Sequence, residues 1–224
     1  MKVIIAAILF FSFSASAKEI IFKTNNVCII DQQIDSNSVR QAKLCLADKV
    51  IQRRGRKYPI YLYLNSPGGS IFAGLKFIEF AKTIDNLHTV TSYSASMAAA
   101  IVEHLPGKRY ITETGIMMFH RARGKVAGQI ESGELERRLR FWKRIIRKSE
   151  RVQAKRIGIT LKKYKENVHD EWWLFGSQAV EEKVCDEVIV VKCSTALSKK
   201  FVKIKTPGIF GGNTVEVSAC PMLR

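Results

Sequence analysis

Two glycines in a row behind a proline, Pro67-Gly68-Gly69, end a short apolar run and tightly limit what this chain can fold into. The run before them, Tyr61 to Leu64, is too brief for a helix and rich in β-favouring aromatics, so it reads as a buried strand. The proline must break that strand. The paired glycines let the backbone turn its N–H groups into a cleft at angles that a side-chain-bearing residue resists. A second segment starts as a strand over Thr89 to Tyr93 and changes abruptly to Met97-Ala98-Ala99-Ala100-Ile101, a strongly helix-forming composition. Ser96 sits at that junction. A third apolar run, Ile116 to Phe119, ends at His120.

The surrounding pattern repeats the same alternation. Val27 to Ile30 reads as the first strand. Val39 to Ile51 carries Val39, Ala42, Leu46 and Val50 at helical spacing. Ile71 to Thr83 forms the next helix, with Ile71, Leu75 and Ile78 on one face, and Ala98 to His104 another. Strand following helix in this way predicts an α/β fold with largely parallel strands and right-handed crossovers. Groups at the strand ends then converge on one rim of the sheet, where such folds hold their sites.

The residue types at those ends fit acyl-transfer chemistry. A serine held at a helix N-terminus faces free N–H groups and a dipole that favours developing negative charge. Serine is a weak nucleophile until a base takes its proton, and histidine is the usual base near neutral pH. Each residue also has a plainer role. Gly68-Gly69 could be only a tight turn, Ser96 only an N-cap, and His120 a satisfied core histidine. Their order and combination favour catalysis over three coincidences.

Asn65-Ser66-Pro67-Gly68-Gly69, Ser94-Ala95-Ser96-Met97 and Met117-Met118-Phe119-His120 together resemble the proteolytic-subunit family of Clp proteases (ClpP). More distantly they resemble signal peptide peptidase A and the crotonase-like superfamily. The similarity runs from about Cys28 to about Val191. It implies a ClpP/crotonase-like α/β fold of repeated strand-helix units with a long projecting helix, and a serine-type endopeptidase acting on peptides or unfolded polypeptides. By that resemblance Ser96 attacks the carbonyl, His120 is the base, and the backbone N–H groups of Gly69 and Met97 form the oxyanion hole. The third member of the triad falls in His169-Asp170-Glu171-Trp172-Trp173-Leu174. Counting back from Ala179 without a gap selects Glu171, whereas one inserted residue selects Asp170. No metal or organic cofactor is implied, and no His/Cys spacing resembles a zinc site. A homo-oligomeric ring is implied as well. His88, His104 and His169 read as surface residues.

Met1-Lys2, the apolar run Val3 to Phe13 and Ser14-Ala15-Ser16-Ala17 describe a cleavable secretory signal over residues 1–17. The run is shorter than the about 20 apolar residues that a transmembrane helix needs. The domain then spans residues 18–200, with a tail over 201–224, in a periplasmic or secreted protein. The family's ATPase partners use cytoplasmic ATP, so an exported relative is expected to work without one. Export permits disulfides. All five cysteines lie past the signal, so at least one is left over within a chain. A Cys28–Cys45 bridge is possible, and Cys193 or Cys185 could hold the tail at Cys220. Thr214-Val215-Glu216-Val217 alternates like a hairpin strand, though a loosely held tail fits as well.

The chain carries 37 basic against 20 acidic residues. Thirteen of the basic residues lie between Arg137 and Lys165, against one acid, Glu150. Gln129 to Ile157 reads as one long helix, the place where the resembled family carries the helix through which rings pair. Two such basic faces would repel each other at low salt. They would instead attract an anionic surface or an acidic partner, or they are simply a solvated helix face. Nucleic acid is the weakest partner, because no recognised binding motif is present. Two other functional classes fit the fold. A crotonase-like acyl-CoA enzyme would not need the Ser96/His120 pair. A catalytically silent binding protein would dock through the basic helix.

Overall fold

The computed structural model describes residues 17–123, 133–205 and 214–223. The expected signal segment (save Ala17), the expected helix start over residues 129–132 and the Pro207-Gly208 and Gly211-Gly212-Asn213 turns lie outside the described residues.

In chain order the elements are β1 (Lys18–Phe22), β2 (Val27–Ile30), α1 (Ser36–Arg53), β3 (Ile60–Ser66), α2 (Ile71–Ala81), β4 (Leu87–Ala95), α3 (Met97–His104) and β5 (Arg109–Phe119). There follow α4 (Glu134–Ile157), α5 (Leu161–Asn167), β6 (Trp172–Phe175), α6 (Ser177–Glu181), β7 (Glu187–Cys193), α7 (Thr195–Ser198), β8 (Phe201–Lys205) and β9 (Thr214–Ser218). Six strands form a parallel sheet in the order β1-β7-β5-β4-β3-β2, and β6 pairs antiparallel with β5 as the seventh strand. The α/β expectation holds. One strand was not legible: β1 precedes Val27, so Val27–Ile30 is the second strand, and the edge position of β1 leaves only Ile20 and Phe22 buried.

Local chemistry sets the boundaries. Asp35 caps α1 by accepting from the N–H groups of Asn37 and Ser38, while the Ser38 hydroxyl bonds back to the Asp35 N–H, a reciprocal capping box. Ser70 caps α2 by accepting from the Ala73 N–H. Gly158, in the left-handed region at φ 85°, closes α4. Leu62 and Leu64 of β3 are fully buried and Tyr63 nearly so, because helices cover one face of the sheet and β1, α7 and the tail cover the other.

Two disulfides fasten the ends of this body. Cys28 of β2 joins Cys45 of α1, with Cα atoms 5.9 Å apart. Cys193, at the end of β7, joins Cys220 across 6.0 Å and holds the β8–β9 hairpin against the sheet. Cys185 keeps a free, buried thiol beside Met117, and burial pushes its pKa well up, so it is a packing residue.

Two of the histidines expected at the surface are not there. His104 is buried: its Nδ1–H donates to the Ala100 carbonyl at 2.7 Å, and its Nε2 meets the Ser149 hydroxyl at 3.3 Å. His88 is half-buried and accepts the Lys108 N–H. Both occupy element ends, where the helical and strand periodicities stop predicting which side faces the core.

Candidate active site

The parallel strands all end on one side, and the site is built on the ends of β3, β4 and β5. At the end of β4 the chain turns into α3 through a single residue, Ser96, held at φ 55° and ψ −115°. A non-glycine residue pays strain for such a backbone angle, and the neighbouring structure enforces it. The Ser96 N–H donates to the Met118 carbonyl at 2.9 Å, tying the turn to β5. The Ser96 side chain makes no capping hydrogen bond, so its hydroxyl is not spent on the helix it precedes. The plainer N-cap role is thereby removed.

Pro67-Gly68-Gly69 lies against this turn. Gly68 has φ 90°, and a Cβ there would sit 2.5 Å from the Ala95 carbonyl oxygen and 2.7 Å from the Ser96 Cβ. Gly69 is pinned from its other side: the Ile34 N–H donates to the Gly68 carbonyl, and the Ser70 N–H to the Ile34 carbonyl, both at 2.7 Å. The glycines are therefore required by close approach as well as by angle. No described group accepts the Gly69 or Met97 N–H.

Gly69, Ser96, Met97 and His120 line one pocket of about 100 Å³. Its walls are Ile71, Ala100, Phe119, Ile145 and Ile146, which are apolar. Ser149, Gln153 and Tyr164 add a polar floor. That floor is a hydrogen-bonded chain in which the Tyr164 hydroxyl donates to Gln153, and Gln153 to the Ser149 hydroxyl that also meets His104. Sequence reasoning misses this floor, since Ser149 and Gln153 fall inside a helix that reads as a basic surface. Glu150, paired with Lys165 at 3.7 Å, stands at the rim.

The two candidate acids are separated clearly. Asp170 is 89 % exposed and its carboxylate is 2.6 Å from His169 Nδ1, away from the pocket. Glu171 lies next to the antiparallel β5–β6 ladder, in which Phe119 pairs with Trp172. The ladder ends at that pair, and Glu171 turns out of it at φ 73°. Its carboxylate is nevertheless engaged elsewhere: Arg123 Nη2 donates to Oε1 and Trp173 Nε1 to Oε2, each at 3.1 Å. His120 Nδ1 is buried and has no hydrogen-bond partner. Neither Asp170 nor Glu171 reaches it in this state, and neither lines the pocket. Arg123 and Trp173 are the residues that sequence reasoning missed. Among the described residues no cluster of side chains could hold a metal ion.

A serine at a strained strand-to-helix turn and a histidine lining the same pocket at the ends of parallel strands fit the class of serine-type peptidases. The family model described as Clp protease matches residues 13–192. The chain belongs to the Clp protease family. It is similar to the ATP-dependent Clp protease proteolytic subunit 2 of Cutibacterium acnes, 28 % identical over 150 residues that cover 65 % of this chain and 69 % of that one. It is also similar to proteolytic subunit 3 of Streptomyces coelicolor, 26 % identical over 169 residues covering 73 % and 75 %. A Streptococcus pyogenes proteolytic subunit is 26 % identical over 133 residues, covering 58 % and 68 %.

Proposed function

We propose that this serine peptidase is an exported, ATP-independent endopeptidase that cleaves short or unfolded polypeptides through Ser96, His120 and Glu171. The observation that carries the assignment is the pocket shared by Ser96, His120, Gly69 and Met97, with the His120 Nδ1 buried and unpartnered; Glu171 is favoured over Asp170 because it lies one residue beyond the β5–β6 ladder that ends at Phe119. Ser96 Oγ attacks the peptide carbonyl carbon as His120 takes its proton. The oxyanion is received by the N–H groups of Gly69 and Met97, where one lost donor typically costs about 3–4 kcal/mol. His120 then returns the proton to the departing amine, and water repeats the sequence on the acyl-enzyme. Glu171 completes the set by turning from Arg123 to His120 Nδ1, where it orients the ring and stabilises its cation. Asp170 stays outside the chemistry.

Export is supported by the Lys2-to-Ala17 pattern and by two disulfides, which persist in oxidising compartments. Outside the cytoplasm a partner ATPase has no fuel, which restricts substrates to chains that need no unfolding. As in a family of proteolytic subunits, the working form is a homo-oligomer.

A fluorophosphonate probe on the chain from Lys18 onward tests the assignment, with the labelled residue found by mass spectrometry. Labelling at Ser96 is expected, lost in Ser96→Ala and in His120→Ala, together with hydrolysis of unstructured peptides without ATP. A folded sample that binds peptides but is neither labelled nor active overturns the reading and favours a silent binding protein.

A further inference from the structure

The outer face of α4 is not absorbed by the site. At about 100° per residue, Arg137, Arg144, Arg147, Lys148, Arg151 and Lys155 fall within one arc of the helix, and all six are exposed. From Arg137 to Lys155 the row extends about 27 Å at 1.5 Å per residue. None of the six makes an ion pair with a described residue, whereas Arg138 and Arg140 are paired with Glu134 and Glu136. Phe141, 53 % exposed, sits at the edge of the same arc among these cations. The opposite face of the helix carries Trp142 against Phe72 and the pocket residues Ile146, Ser149 and Gln153.

We propose that the outer face of α4 rests on a lipid bilayer surface bearing anionic phospholipid headgroups. The row lies on a single convex helix, and Ile146, Ser149 and Gln153, by which α4 lines the pocket, lie on its other face. A level row of long cationic side chains fits a flat, laterally mobile layer of negative charge. An acidic polypeptide would instead gain its specificity from side-chain pockets, which this convex face lacks. Phe141 adds what a polyanion in water has no use for, an aromatic ring placed at headgroup depth beside lysine and arginine. In that orientation the α4 residues that line the Ser96 pocket face away from the bilayer. The proposal is independent of the peptidase chemistry.

The chain from Lys18 onward contains every described strand and helix and is the form to test, by flotation with phosphatidylcholine vesicles with and without phosphatidylglycerol. Binding is expected only to the vesicles that contain phosphatidylglycerol, and it should fall steeply as salt is raised. Combining Arg144→Gln, Arg147→Gln and Arg151→Gln should weaken partitioning roughly 100-fold, and Phe141→Ala roughly tenfold. All four side chains are exposed, so folding and Ser96 labelling should stay at the wild-type level and serve as the control. Equal binding to both vesicle types, or binding indifferent to the arginine changes, overturns the proposal. So does tight binding of polyglutamate that Phe141→Ala leaves intact while vesicles do not bind, which would make the partner an acidic polypeptide.

Discussion

Strand β5 carries an ionisable cluster at each end, and the two differ in how they are held. At its start Arg109 is clamped: Nη1 donates to Glu103 at 2.8 Å, while Nε, Nη2 and the backbone N–H all donate to Asp186. Glu103 is fully buried: its Oε2 takes the Arg109 bond, and its Oε1 has no hydrogen-bond partner. Just past the other end, His120 offers a buried nitrogen to nothing, while the Glu171 carboxylate is held by Arg123 and Trp173. The first cluster joins α3, β5 and the turn before β7 and gains from being locked. In the proposed mechanism the second passes protons. An unmet buried atom stands at both ends, Glu103 Oε1 at one and His120 Nδ1 at the other, but an arginine holds the first group while no side chain holds the His120 nitrogen.

The largest effect that would break this contrast lies at the acid. Glu171→Gln keeps the size of the side chain but removes the charge that stabilises the His120 cation, and it should lower kcat by about 10⁴-fold. Asp170→Asn, exposed and bonded only to His169, should change kcat less than twofold, within the range of a surface substitution. Steady-state hydrolysis of one peptide by both variants decides between them. The reverse ranking would move the triad to Asp170.

At the structural end the expected loss is of stability and not of chemistry. Arg109→Met leaves Glu103 buried without its cation, and breaking a buried pair from one side typically costs about 3–5 kcal/mol. Urea unfolding should show that loss, while the fraction of variant that remains folded should label at Ser96 at the wild-type rate.

The legible and illegible parts of this molecule divide along similar lines. Strands β2 to β5, helices α1 to α3 and the Ser96 turn were readable because apolar period, glycine pairs and composition breaks are local signals. Ser96, His120, Gly69 and Met97 sit at the ends of such segments, so their meeting follows from a parallel sheet. The acid does not follow. Asp170 and Glu171 are neighbours in sequence, and only the hydrogen bonds of the folded chain, Asp170 to His169 and Glu171 to Arg123 and Trp173, tell them apart. Cys193 as the partner of Cys220, the burial of His104 and the role of Arg123 are long-range facts of the same kind, invisible to any window of sequence.

The two ends should also differ in their response to pH. Burial pushes the Glu103 carboxyl up to about 8 against the pull of Arg109, from an ordinary value near 4.5. A group raised in this way gives stability that is fully present below about 4.5 and is lost as pH rises through about 8. His88 and His104, which burial holds below their usual range, contribute the opposite slope on the acid side. Comparing urea midpoints of wild type and Glu103→Gln at pH 5 and pH 8 removes the histidine contribution, which both proteins share. The wild type should lose more stability than the variant over that interval, and an identical change in both would assign no titration to Glu103 there.

The smallest effect concerns what keeps Glu171 from His120. The Arg123 guanidinium is 74 % exposed, and an exposed ion pair is worth about 1 kcal/mol or less, at most a factor of about five in population. Arg123→Gln should therefore raise the rate of fluorophosphonate labelling at Ser96, by fivefold at most, and added salt should raise the wild-type rate in the same direction by screening the pair. The gain should vanish when Glu171→Gln is present, because the arginine then restrains a side chain that no longer supports the base. A gain that survives Glu171→Gln would show that Arg123 acts on the pocket mouth it lines and not on the triad. A fall in labelling would mean that the Arg123–Glu171 pair supports the active arrangement, and the comparison of the two ends of β5 would then rest on the orphaned His120 nitrogen alone.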